Sequence, residues 1–498
     1  MTRIRKGIIL SYFTVIVKNI SMLVFTQLLL RSFSKNDYGL YQLANSIISN
    51  LSLLNLGFSS AYIKFFTVFS TKKEKIKLNK LNGTYVLMFL VISLFAIFCG
   101  IILLCNSSYF LASFSVAEEN RLKKMMFLMM LNVILTFIGT PFEANILANE
   151  QFIFQQNRQI FQFVSLPILT FIFIYFFHVN VEFIIVIQTI INFISLFANF
   201  YFCIKKISMN FIFKNLEFSF IKEITCFSFF IFLNQLFNQI NDNAPIFILG
   251  KSMGTSEVAV YSIVNQLKAL FLTFSQVLTT IFIPKVNRLV HLSDNSELLV
   301  QLMIKIGRYQ LLLIGFFLGG FIILGKYFLY LWLGEGFEKA YYLLISIMIP
   351  LLIPLSQNIA IEIQQARNKH FFRSIVLTIF SFLNIVITFF SVEIVGIEGA
   401  TVGYIFILIF GYGIVMNYYY QKKMELNMKK FWFAVIPSLI PFTVIIALNN
   451  FVGKWIQVQT SFSFLVVGSI YCIVYVFLVF LFIPSSFQNL NLIKGKRE

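Results

Sequence analysis

The sequence is poor in charge, in cysteine and above all in aspartate. Charged residues make up only 12% of the 498 residues, about half of what an ordinary soluble protein carries. Together with 59% hydrophobic residues, this excludes a large soluble core. Apolar runs of about 20 residues fit helices crossing a hydrocarbon layer of about 30 Å. They exclude porin-type strands, which alternate over roughly ten residues. The five cysteines, Cys99, Cys105, Cys203, Cys226 and Cys472, are scattered through apolar runs without a CxxC, so neither a ligand set nor a disulfide framework is expected. The three aspartates, Asp37, Asp242 and Asp294, form no DxD, and His178, His291 and His370 are isolated. With no HExxH, GxSxG or P-loop either, no catalytic residue, metal site or cofactor is expected, and the chain is not read as an enzyme. A membrane polymerase, the best enzyme alternative, calls for long outer loops. The longest here span only 106–124 and 449–461.

What is present is an all-α polytopic membrane pattern. Hydropathy predicts fourteen helices, at 8–30, 40–66, 83–105, 125–142, 159–178, 181–203, 224–250, 256–283, 306–333, 340–362, 374–392, 399–420, 431–448 and 462–483. The N-terminus (Met1–Gly7) is short and basic, and no small-residue cleavage site follows the first apolar run. It is read as a retained first span rather than a removed signal. A net charge of +19 invites a nucleic-acid partner, and placing each charge tests that idea. With the N-terminus inside, 27 of the 39 Lys and Arg, including Arg158, fall on the cytoplasmic side and 9 on the outer side. This is the positive-inside bias of a membrane protein with both termini cytoplasmic; no nucleic-acid partner is expected. Three basic residues remain that topology does not explain: Lys18, Lys64 and Lys268.

The chain also repeats itself. LLRSFSKNDYGLYQLAN (29–45) aligns with LGKSMGTSEVAVYSIVN (249–265), pairing Leu29/Leu249, Arg31/Lys251, Asp37/Glu257, Tyr41/Tyr261 and Asn45/Asn265. At nearly the same offset, Glu143, Asn149 and Phe152 correspond to Glu362, Asn368 and Phe371. Six predicted helices separate the copies, so both enter the membrane in the same direction. The expectation is two parallel six-helix lobes, 1–210 and 211–424, followed by helices 13–14 and a cytoplasmic tail in 425–498. Such folds usually place the substrate at the lobe interface, and Lys18, Lys64 and Lys268 fall on predicted helices 1, 2 and 8.

The stretches KGIILSYF (6–13), DYGLYQLANSIISNLSLLNLGFSSA (37–61), LGKSMGTSEVAVYSIVNQL (249–267) and PKVNRL (284–289) carry a family likeness. With the two-lobe plan, the chain resembles the multidrug/oligosaccharidyl-lipid/polysaccharide exporter superfamily, whose fold is MATE-like. Within it the chain is most similar to Wzx-type flippases of O-antigen or capsule. The resemblance implies a carrier in the bacterial cytoplasmic (inner) membrane. It would move an undecaprenyl-pyrophosphate-linked oligosaccharide outward for surface polysaccharide or lipopolysaccharide. Its implied partners are that lipid, the membrane lipids, and the glycosyltransferases and polymerase of the same pathway. A MATE-type drug/cation antiporter is the nearest alternative, but such antiporters generally have twelve helices, and surplus cations suit cationic drugs poorly.

A flippase must shelter an anionic headgroup, and lysine is a suitable phosphate partner. Lys18 and Lys268 lie too deep to snorkel comfortably and are the leading headgroup candidates against a structural ion pair. Lys64, nearer an inner helix end, and Arg31, at an outer one, complete the candidate set, with snorkelling and interfacial anchoring as their simpler accounts. Asp242, in FNQINDNAPIF, sits beside Asn241, whose carbonyl Pro245 frees. Together they form a candidate H+ or Na+ coupling site, against a lysine counter-ion or a polar gap-filler. Pro350 and Pro354 predict a kink or break in helix 10.

Overall fold

The computed structural model describes residues 2–55, 57–106, 115–214, 218–292, 295–367, 369–452 and 459–482. Asp294, Asn368, Lys454 and the basic tail residues Lys494, Lys496 and Arg497 lie outside them. No strand occurs among the described residues, as a lipid environment requires of a chain that is not a closed barrel. In order, the helices are α1 (Thr2–Ser32), α2 (Lys35–Ser49), α3 (Phe58–Thr71), α4 (Lys75–Cys105), α5 (Val116–Ala148), α6 (Phe152–Phe177), α7 (Val181–Phe202) and α8 (Phe218–Met253). They continue with α9 (Thr255–Leu292), α10 (Ser296–Leu333), α11 (Glu338–Ser356), α12 (Asn358–Ala366), α13 (His370–Val395), α14 (Gly399–Phe406), α15 (Asn417–Lys422), α16 (Met428–Val435), α17 (Ile440–Val452) and α18 (Ser461–Phe482). Among the described residues, 12 helical stretches are long and apolar enough to cross a membrane. One of them, Phe371–Lys422, covers both predicted helices 374–392 and 399–420. It is interrupted at the 3-10 turn Gly396–Glu398, where Gly396 takes φ 73.

The stretch predicted as one helix over 40–66 is composite. α2 ends at Ser49, a 3-10 segment runs Asn50–Asn55, and α3 restarts after Gly57 at φ 70. Asn50 Nδ2 donates to the Ser46 carbonyl at 2.9 Å, a side-chain bond that competes with continued helix. At the other end of α2, Ser34 and Asp37 form a reciprocal capping box, the Ser-x-x-acid signature of a helix start. Ser115 and Glu118 do the same for α5.

The chain forms two compact units, one of residues 1–262 with 381–400, the other of 263–380 with 401–498. In the first, α1 packs along α6, and α5 packs against α2, α3, α4 and α7. Its core includes Phe58, Tyr62, Phe65, Tyr85, Phe89 and Phe137. A buried polar knot secures it: Tyr62 Oη donates to Asn82 Oδ1 at 2.6 Å and accepts from Asn145 Nδ2 at 2.6 Å. Gly39 of α2 lies against the Thr255 carbonyl so closely that a Cβ would overlap it. Both copies of the repeated motif bury their apolar and tyrosine positions: Leu29, Tyr41, Leu249 and Tyr261 are all in the core.

In the second unit α10 is the central element, packing on α11, α16, α17 and α18. Two tyrosines fasten α18 to it, Tyr471 Oη on the Phe316 carbonyl (2.5 Å) and Tyr475 Oη on the Leu312 carbonyl (2.8 Å). The break predicted from Pro350 and Pro354 is displaced. α11 runs through both prolines and ends two residues later, at Ser356. Gln357, at φ −101 and ψ 8, joins it to α12 and donates to Asn417 Oδ1 at 2.9 Å. That oxygen also accepts from Trp432 Nε1 at 2.8 Å, at the end of the π-helical segment Ile407–Met416. The prolines remove two ladder bonds, and a buried amide bond holds the break where it falls.

Candidate substrate-binding site

Lys18 is 14 residues from the end of α1 at Ser32, about 21 Å along the axis. Its side chain is exposed, with Nζ 5.9 Å from the centre of the Phe163 ring on α6. Among the described residues no carboxylate forms an ion pair with it. A lysine facing hydrocarbon at this depth costs roughly 2.5–3.5 kcal/mol on insertion scales.

Lys268 of α9 sits in the second unit in the opposite condition. It is 1% exposed, and its Nζ lies 4.5 Å from the centre of the Tyr404 ring, a desolvated cation–π contact worth about 2 kcal/mol or more. Lys64 is exposed on α3, 5.5 Å from the ring of its neighbour Phe65. It stands seven residues from the helix end at Thr71, about 10 Å, within reach of the interface once the side chain extends. Arg31 is exposed in the last turn of α1.

The side chains of Asn241 and Asp242 face different surroundings. The Asn241 side chain is buried and fully engaged. It donates to the Phe237 carbonyl (2.8 Å) and to Ser381 Oγ (3.1 Å), and accepts from Asn384 Nδ2 (2.7 Å). Asp242 is exposed, because consecutive helical residues point about 100° apart. The rest of the polar run in α8 divides the same way. Gln239 and Asn243 turn to α2, both donating to Ser49 Oγ at 3.0 and 3.1 Å, while Asn238 is exposed beside Asp242.

Several charged groups gain partners that the sequence did not indicate. Arg121 of α5 bridges Asp37 of α2 (2.5 Å) and Glu182 of α7 (2.7 Å), tying three helix starts together. Arg158, counted as a cytoplasmic loop charge from sequence, lies inside α6 with its side chain 9% exposed and bonds Glu143 at 2.6 Å. It also donates to Gln162 (2.9 Å), which in turn reaches Asn192 (3.4 Å). Glu362, the repeat partner of Glu143, has its own arginine nearby in Arg373. No sequence spacing reveals such pairs, because each joins residues on different helices.

One large cavity opens within the second unit, of about 710 Å³. Leu267, Phe271, Phe317 and Phe321 of α9 and α10 line one side, and Leu465 and Gly468 of α18 the other. Its walls are overwhelmingly apolar, suited to hydrocarbon rather than to sugar or phosphate.

The fold matches solved structures at low sequence identity. "Lipid II flippase MurJ, inward closed conformation" superposes with a TM-score of 0.74 at 15% identity, over 96% of this chain and 98% of that one. An inward-facing multidrug resistance MATE family transporter of the MOP superfamily gives 0.69 at 12%, over 82% and 96%. A mutant of the Vibrio cholerae MATE transporter VcmN gives 0.53 at 14%, over 87% and 100%. No curated protein matches the sequence. A family profile does, that of "Polysaccharide biosynthesis protein", over residues 4–289. With more than half of its length matched, this multi-pass, MATE-like membrane protein belongs to the polysaccharide biosynthesis protein family.

Proposed function

We propose that the protein is a flippase of the bacterial cytoplasmic membrane that moves a polyprenyl-pyrophosphate-linked oligosaccharide to the outer leaflet for surface polysaccharide synthesis. The observation that carries this reading is Lys18: an exposed cation at mid-membrane depth with no carboxylate bound to it among the described residues. Pyrophosphate is the ligand such a cation suits. The family supports a role in polysaccharide biosynthesis. The apolar cavity between α9, α10 and α18 supports a substrate with a hydrocarbon part. Lys268 is the second headgroup cation in this reading, reached when the Tyr404 ring swings off it. Lys64 and Arg31 serve as peripheral cations toward the inner and outer faces. Fourteen helices with both termini cytoplasmic, and division at 210 and 424, belong to the same reading and rest on the charge bias and the repeat. Coupling to H+ or Na+ would fall to the Asp242 carboxylate with the main-chain carbonyl of Asn241, since the Asn241 side chain is bonded to Phe237, Ser381 and Asn384.

The test is complementation of a strain lacking its polysaccharide flippase. The wild-type chain and Lys18→Arg restore surface polysaccharide, and Lys18→Ala does not, at equal protein levels. Restoration by Lys18→Ala would remove the cation from the mechanism. The antiporter reading has the exposed Asp242 in its favour. It predicts that the wild-type chain lowers accumulation of a cationic dye, which the flippase reading does not.

A further inference from the structure

We infer that the seam between α2 and α8 is a saccharide subsite, separate from the cation that holds pyrophosphate and selective for neutral, hydroxyl-rich sugars over acidic ones. The inference rests on the reading of the protein as a carrier of a lipid-linked saccharide. It names the part of the site that grips the sugar.

The seam is held by polar side chains. Ser46 Oγ donates to the Asn243 carbonyl (3.2 Å), Gln239 Nε2 and Asn243 Nδ2 both donate to Ser49 Oγ, and Asn243 Nδ2 also approaches Asn50 Oδ1 at 3.4 Å. On the α8 side Asn238 and Asp242 are exposed; on the α2 side Asn45, Asn50 and Ser52 are exposed. Asn238 and Asp242 are four residues apart and share one face of α8, as Asn45 and the seam residue Ser49 share one face of α2; Asn50 and Ser52 follow in the 3-10 segment.

Depth decides what these faces meet. Asn45 is ten residues into α2 and Asp242 eleven residues before the end of α8, about 15 and 16 Å. That is half of a hydrocarbon core of about 30 Å. The bond from Ser46 to Asn243 independently places the two helices at one level. Asn45 and Asp242, exposed at that level and one of them a carboxylate, are not compatible with a lipid-facing surface. They line a polar space.

The chemistry of that space differs from the surroundings of Lys18. The seam offers amide donors and acceptors, a hydroxyl and one carboxylate, and none of these seam residues is cationic. Ionised carboxylate is acceptor-only and suited to sugar hydroxyl pairs, while amides supply both senses of hydrogen bond. The same carboxylate disfavours phosphate and the acidic group of a uronic acid. Sugar and pyrophosphate are thereby sorted to different residues of the same unit.

The experiment uses the full-length protein in lipid nanodiscs and three probes: undecaprenyl pyrophosphate alone, the same lipid carrying one neutral hexose, and the same lipid carrying one hexuronic acid. The hexose raises affinity over the bare lipid by about tenfold, about 1.4 kcal/mol, and the uronic acid raises it less. Asn238→Ala with Asp242→Asn removes the hexose increment and leaves binding of the bare lipid within about twofold, which also reports an intact fold. Asn45→Ala, on the other helix, reduces the increment independently. A hexose increment that is absent in the wild type, or that survives all three substitutions, overturns the subsite. So does an Asp242→Asn protein that keeps the increment and loses only its response to an ion gradient. Failure of the wild type to bind any of the three lipids instead overturns the flippase reading.

Discussion

Lys18 and Lys268 are the same residue at similar distances from an end of an apolar helix, 14 residues from the end of α1 and 13 from the start of α9. The structure treats them in opposite ways. Lys18 is exposed and unpaired by any described carboxylate, with an aromatic ring at 5.9 Å; Lys268 is 1% exposed and pressed on Tyr404. The difference teaches that depth alone does not define a ligand site. A buried cation has exchanged water for protein contacts and meets a ligand only when those contacts open. An exposed cation as far from a helix end needs a polar environment, which the flippase reading supplies through its substrate.

The largest effect that would break this comparison is on transport. Lys18→Ala is expected to lower flipping by at least about 100-fold, the scale of a lost charge-assisted contact of about 3 kcal/mol, whereas Lys18→Arg retains most of it. If Lys268→Ala proves as damaging and Lys18→Ala harmless, exposure has pointed to the wrong lysine.

Accessibility gives a sharper contrast. In a background stripped of native cysteines, Lys18→Cys is expected to react with a membrane-impermeant thiol reagent, and Lys268→Cys to be protected until Tyr404→Ala opens its pocket. Equal labelling of both positions would remove the distinction.

A smaller effect concerns the scaffold of the first unit. Gly39→Ala places a methyl group on the Thr255 carbonyl and is expected to cost about 1–3 kcal/mol, read as a lower unfolding temperature in detergent. An unchanged temperature would show that α2 and the start of α9 do not approach so closely.

The smallest is the Arg121 bridge. Its guanidinium is 38% exposed, so Arg121→Ala is expected to cost about 1 kcal/mol, diminishing in high salt. A salt-independent loss would point to packing instead of charge.

The apolar spans were legible because lipid imposes length and hydropathy directly. Lys18 stood out in the sequence because charge placement leaves few alternatives for a basic residue there, and its side chain is exposed. A break between the predicted helices 8–30 and 40–66 was legible too, and the structure places it at Ser34, where Ser34 and Asp37 cap α2. Three features were not readable. The break after α11 falls at Gln357, because a distant Asn417 and Trp432 hold it. Asn241 and Asp242 are neighbours in sequence yet face different surroundings, a matter of helical phase and of Ser381 and Asn384 lying 140 residues downstream or more. Arg158 looked like a loop charge, and only the fold shows Glu143 beside it. Local pattern records what each helix is made of; which face meets which partner is a long-range property.

The central claim is that an exposed lysine at mid-membrane carries the headgroup of a lipid-linked saccharide. Proteoliposomes loaded with a fluorescent undecaprenyl-pyrophosphate saccharide test it most directly, with leaflet exchange followed by quenching from one side. The account predicts exchange with the wild-type chain and with Lys18→Arg, and the rate of protein-free liposomes with Lys18→Ala. Exchange by Lys18→Ala at the wild-type rate, with equal protein reconstituted, would contradict it.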